Sequence, residues 1–131
     1  MTSGLLLIAC LVVSAGAPAA QSTEVSEAAG QEAAEAWLKV IDAGKLGTAW
    51  DQASTMFFEK KTKAARAPLG QVLSRKLASS QLAHALPGAP DGTYVIVLYD
   101  TRFERKEHAR ETVTVALDSG ERFRGARYFI R

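Results

Sequence analysis

At Pro68 the hydrophobic period of this chain changes, and that change bounds the folds open to it. Upstream, apolar residues recur every three or four positions; downstream, they recur every second position. Ala33, Ala34, Trp37, Leu38 and Ile41 make one helical stripe, with Glu32, Glu35 and Lys39 on the opposite face. Gly44 follows where helices commonly stop. A second stripe runs through Leu46, Ala49, Trp50, Ala53 and Phe57, and the basic run at 60–63 and Pro68 end it near Ala65. With only residues 44–47 between them, the spacing predicts a helical hairpin with Trp37 and Trp50 in the core. Residues 21–30 are polar and rich in Ala and Glu, a frayed lead-in to the first helix.

The period-2 half reads as four strands. Residues 72–86 predict a long, bent strand, and 93–103, dense in β-branched and aromatic residues, predict the strongest one. Residues 111–117 set Val113, Val115 and Leu117 against Thr112, Thr114 and Ala116, a half-buried strand. Residues 118–120 are a turn and 123–130 the last strand. Pro87-Gly88 and Pro90-Asp91-Gly92 fit turn chemistry without a ligand: proline presets φ, Asp bonds its own backbone, and Gly accepts positive φ. Helices followed by strands on short connections predict an α+β fold, in which the helical hairpin packs against a curved four-stranded antiparallel meander, cone-like in shape.

Residues 1–20 carry no charge and hold an apolar run over 5–13 followed by small residues, which reads as a signal peptide. The run is too short for a spanning helix, and Ala17-Pro18-Ala19 suits cleavage after Ala19 or one residue later. The expectation is an exported protein, periplasmic or secreted, with one domain over 21–131. No Lys or Arg precedes Leu5, so a start further upstream is the alternative, and Leu7-Ile8-Ala9-Cys10 would then make Cys10 a lipidation candidate. Cys10 is the single cysteine, so the mature domain has no thiolate or disulfide and depends on its apolar core. The 16 basic and 14 acidic side chains all fall in that domain, for a net charge of +2.

The segments 34–45 (AEAWLKVIDAGK), 49–54 (AWDQAS), 66–70 (RAPLG), 74–77 (SRKL), 86–103 (LPGAPDGTYVIVLYDTRF), 111–115 (ETVTV) and 125–131 (GARYFIR) together resemble a bacterial family of small exported proteins, the domain of unknown function 4019. The resemblance covers most of the mature chain, and LPGAPDG followed by a strand is its most specific part. It is similar, by analogy of architecture, to the cystatin-like and ketosteroid-isomerase-like cones. This chain departs from the family pattern in lacking a further helical segment with a tryptophan before residue 66, so one side of the cone is expected to be thinner or open. Gly125 stands where the family has valine and Arg127 where it has glycine. Because glycine weakens strands, a diverged or less stable member is expected. The family implies no catalytic residues.

Chemistry read from the residues is sparse. There is no cysteine nucleophile and no Gly-x-Ser-x-Gly in the mature chain, and only His84 and His108 could act as bases. His108 reads as a solvated histidine in a strand connection, and neither histidine has metal-ligand spacing. No catalytic residue, metal or cofactor is expected, and the balance leans against an enzyme. The enzymatic alternative is ketosteroid-isomerase-like: were Tyr94, Ile96, Leu98 and Asp100 the inward face, Asp100 would enter the cavity as base near Tyr94, although Arg102 on the same face favours an Asp–Arg pair at the rim. Candidate pocket residues are therefore Trp37, Trp50, Tyr94, Tyr99, Asp100 and Arg102. Residues 60–76 hold six Lys or Arg and no acid, and Arg122, Arg124, Arg127 and Arg131 stud the last strand, which makes a polyanion or membrane surface a further partner class. The reading favoured is a non-catalytic small-ligand-binding or protein-interaction module of the cell envelope. Its expected partners are a small molecule, an envelope protein, an anionic surface or a second copy of the chain, and not nucleic acid.

Overall fold

A computed structural model describes the backbone of residues 19–54 and 59–131, with side chains over 27–54 and 60–131. Residues 1–18 of the expected signal peptide, Cys10 among them, lie outside the described residues. So does the Phe57 end of the second predicted stripe. Three helices, α1 (Ala19–Asp42), α2 (Leu46–Asp51) and α3 (Glu59–Arg66), precede four strands, β1 (Val72–Ala83), β2 (Tyr94–Phe103), β3 (Lys106–Leu117) and β4 (Phe123–Ile130). The strands form one antiparallel sheet in the order β1-β2-β3-β4, so the fold is α+β. The sheet is open, with β1 and β4 at its edges.

The stripe on α1 is buried as its spacing requires: Ala34, Trp37, Leu38 and Ile41 pack against Val95, Val97, Tyr99, Val113 and Val115. The helix continues through Gly30, where a Cβ would fall inside the Val95 side chain, so glycine here lets α1 lie close on the sheet. At the other end Gly44 has φ 74, and Lys45 and Gly44 donate their amides to the Val40 and Ile41 carbonyls at 3.2 and 3.0 Å. This is the paired Schellman closure, and it ends α1 as expected.

The second helix of the predicted hairpin is shorter than its stripe implied. The second stripe is divided, because α2 ends at Asp51 and Ala53 leaves the helix to bridge Gly125 in parallel, with Ser54 donating to the Gly125 carbonyl at 2.7 Å. Tertiary pairing to β4 has overridden the helical period. Trp50, expected in the core, is 48% exposed, whereas Ala49 is the buried residue of α2.

Gly125, read as a weakness, is a packing device. A Cβ there would overlap the indole of Trp37, well under 3 Å from its ring atoms. Trp37 also donates its Nε1 hydrogen to the Ala49 carbonyl at 3.0 Å, so one indole ties α1 to both α2 and β4.

In the sheet β1 carries two register shifts, between Val72 and Ser74 and between Leu77 and Ser79, which interrupt this long edge strand. The Pro87-Gly88 turn is closed by Ala89 donating to the Leu86 carbonyl at 3.2 Å with Gly88 at φ 73, the positive φ that a type II turn demands.

Candidate functional site

Alternation along β2 decides which face is inside. Val95, Val97, Tyr99 and Thr101 point to the helices and are buried, while Asp100 and Arg102 are exposed on the opposite face. Asp100 therefore does not enter the interior. It accepts from Arg110 at 2.9 Å on the solvent side, an exposed ion pair between β2 and β3. Tyr94 is buried on its own and donates its hydroxyl to the Pro90 carbonyl within the preceding turn. The six candidate pocket residues are thus dispersed: Trp37 and Tyr99 are inside, Tyr94 supports a turn, and Trp50, Asp100 and Arg102 are outside.

The buried carboxylate is instead Glu111, with no exposed surface at all. Its oxygens accept from Arg75 Nε and Nη2 at 2.7 and 3.1 Å, from the Thr101 hydroxyl and from the Tyr128 hydroxyl. Arg75 also donates to Asp42 at 2.7 and 3.1 Å, and Arg66 donates to the same carboxylate at 2.8 Å. The chain Arg66, Asp42, Arg75, Glu111 links α3, α1, β1 and β3 and balances two positive charges with two negative ones. Arg75 and Arg66 stack over the rings of Tyr99 and Phe103, 5.9 and 5.0 Å from their centroids.

Protonation follows from this geometry. Burial works against the charge on Arg75, but its hydrogen bonds to Asp42 and Glu111 outweigh that and raise its pKa. Burial pushes Asp42 up, and the hydrogen bonds and charges of Arg75 and Arg66 more than reverse it, leaving it below the usual carboxylate value. Burial, with the Glu35 carboxylate next, pushes the Tyr99 phenol up to about 12. Tyr128 is raised by burial and by the charge of Glu111. Two buried atoms of this region, the Tyr99 hydroxyl and Arg66 Nε, have no hydrogen-bond partner among the described residues.

Among the described residues no helix lies on the opposite face of the sheet. Residues paired in register share a face, so the pairings of Lys76 with Asp100, Asp100 with Arg110, Ala116 with Arg124 and Thr114 with Arg127 place these charges together outside. Arg102 and Arg131 join them around an open hollow of about 560 Å³ at one end of the face, lined also by Ser74, Asp100, Glu107, His108 and Arg110. His108 was expected in a connection between strands. The β2–β3 turn takes only residues 104–105, so this histidine is exposed on β3. Arg127 donates to the Pro87 carbonyl at 2.8 Å, and Arg124 to Asp118 at 2.6 Å.

A second, smaller hollow of about 280 Å³ lies between α1, the end of α2 and the start of β4. Trp37 lines it and Trp50 does not, so the two tryptophans share neither hollow. Among the described residues no group of three His, Cys, Asp or Glu side chains is placed to hold a metal ion.

The family described as "Protein of unknown function (DUF4019)" matches residues 33–128, which takes in α1 from its buried stripe onward, the charge network and nearly all of the sheet. The chain belongs to this family. Both faces described above therefore lie within the DUF4019 domain, apart from residues 129–131 at the end of the last strand. No curated protein and no solved structure matches the chain, and the likeness to cystatin-like and ketosteroid-isomerase-like cones remains an analogy.

Proposed function

We propose that this DUF4019 protein is an exported, non-catalytic binding module of the cell envelope that engages an anionic partner through the uncovered face of its sheet. The observation that carries the reading is charge segregation on that face. Lys76, Arg102, Arg110, Arg124, Arg127 and Arg131 stand there against Asp100 on the face, with Glu107 and Asp118 at its two ends. The whole chain carries only two net positive charges, so this excess is local. An open, weakly walled hollow suits recognition of a charged surface better than enclosure of a reacting molecule. Retention on immobilised heparin tests the reading. The protein should elute at a salt concentration well above that needed for Arg102→Glu/Arg131→Glu, and equal elution of the two would contradict it.

A second reading, an acid–base enzyme, is favoured by one observation: Glu111 is a fully buried carboxylate with Tyr128 bonded to it and Tyr99 paired with it in register, the Tyr99 hydroxyl having no partner among the described residues. Against it, Arg75, Thr101 and Tyr128 already donate to its oxygens and no surface of it is open. Turnover of enolisable ketones that vanishes in a folded Glu111→Gln variant would favour this reading, and the absence of turnover in the parent chain would remove it.

A further inference from the structure

Along the edge strand β4 and the residue after it the outward positions alternate Arg127, Phe129, Arg131, and Phe129 is 56% exposed between its two arginines. Its register partner Thr112 stands opposite Leu98, and Thr114 stands opposite Ile96, so beyond two threonines a half-buried apolar pair lies on the face behind the phenylalanine. Arginines lie on both sides of this group, Arg127 with Arg124 on one and Arg131 with Arg110 on the other. A soluble acidic polymer would use the arginines and have no use for an exposed phenyl ring in their midst. An anionic bilayer uses both, since cations meet the phosphate layer while a flanked aromatic enters the acyl boundary below it.

We infer that the anionic partner is a lipid surface, and that Phe129 is the side chain that enters it. This rests on the proposed binding of an anionic partner and adds to it the class of partner. The face has the pattern such docking needs. The three outward side chains of β4 are spaced about 7 Å apart along the strand, so both arginines can reach headgroups around one inserted ring. The sheet is open there, and no described helix covers it. Leu98 and Ile96 give the face apolar depth without themselves projecting.

The test is co-sedimentation of the full chain with vesicles of phosphatidylglycerol mixed equally with phosphatidylcholine, and with vesicles of phosphatidylcholine alone. Phe129→Ser and Phe129→Leu are compared with the parent, so that any contribution from residues 1–20 is common to all. The expected result is binding to the anionic vesicles only, weakened about tenfold in Phe129→Ser and kept in Phe129→Leu, with heparin retention the same in all three. Phe129 is exposed, so both variants should fold, and their far-ultraviolet circular dichroism and melting temperatures check this. Equal vesicle binding by all three, or no vesicle binding while heparin retention persists, overturns the lipid inference and leaves the anionic partner standing. Loss of heparin retention in the parent as well overturns both.

Discussion

Arg75 and Glu111 form an ion pair, Nε to Oε1 at 2.7 Å, that spans β2 and joins the edge strand β1 to β3 beneath the helices. A carboxylate with no exposed surface is stable there only because Arg75, Thr101 and Tyr128 all donate to it. Removing it leaves Arg75 with Asp42 alone and takes the acceptor from both hydroxyls. Glu111→Ala is expected to destabilise the domain by about 3–5 kcal/mol, and Glu111→Gln by less, since the amide still accepts from the hydroxyls. The urea midpoint at constant slope measures this, and a shift within error of zero would mean that the pair does not hold the sheet to the helices.

Asp42 sets the acid limb of stability. Its folded pKa lies below the unfolded value of about 3.9, so its contribution is present above that value and is lost as pH falls through the folded one. Asp42→Asn should be less stable at neutral pH and lose less on acidification than the parent. Parallel slopes of stability against pH below 4.5 or so in the two proteins would contradict the assignment.

Tyr99, together with Tyr128, shapes the alkaline limb with the opposite sign. Its folded pKa of about 12 exceeds the unfolded value of about 10, so the fold favours the neutral phenol. That stability is fully present below pH 10 or so and is lost as pH rises toward about 12. Because the hydroxyl is buried without a partner among the described residues, Tyr99→Phe should stabilise the domain at pH 7 by about 1 kcal/mol. Absorbance at 295 nm should lose the phenolate step near pH 12 in that variant. Destabilisation by Tyr99→Phe would show that the hydroxyl has a partner.

Gly125→Ala drives a methyl group into the Trp37 indole. The ring is held by Ala49 on its other side, so the strain is expected to cost about 1–3 kcal/mol. Thermal unfolding of Gly125→Ala alone and combined with Trp37→Phe reads the coupling, which should be less than additive. Full additivity would mean that the close approach is not what selects glycine.

The two tryptophans should behave differently. Trp37→Ala should cost about 3–5 kcal/mol, as for a large core side chain, and Trp50→Ala under half of that. Iodide should quench emission in Trp37→Phe, where Trp50 remains, and barely affect emission in Trp50→Phe. Equal quenching would contradict the placement of both rings.

How much of this could be read from the sequence depends on whether local pattern or tertiary pairing decided each element. The α1 stripe, Gly44, the Pro87-Gly88 turn and the order of four strands were legible because spacing and turn chemistry are local. The inward face of β2 was not. Tyr94, Ile96 and Leu98 are as apolar as Val95, Val97 and Tyr99, and alternation cannot choose between two apolar faces. Only the far end of the strand, with Asp100 and Arg102 both on the even positions, carried the signal that this face meets solvent.

Glu111 was missed although it lies in phase with Val113 and Val115, which marks an inward carboxylate that must find partners. Its charged partner Arg75 is 36 positions away in sequence, Asp42, which shares that arginine, lies 33 positions further, and no local pattern joins the three. The early end of α2 was illegible for a similar reason, since it is the bridge from Ala53 to Gly125 that draws the chain out of its helical period.

The central claim, that the uncovered basic face is the binding surface, is tested most directly by amide chemical shifts during titration with a heparin oligosaccharide. Saturable shifts should gather on the strands around Lys76, Arg102, Arg110 and Arg131 and leave residues 27–42 of α1 unmoved. Shifts confined to α1 and α3, or none at concentrations that saturate heparin retention, would contradict it.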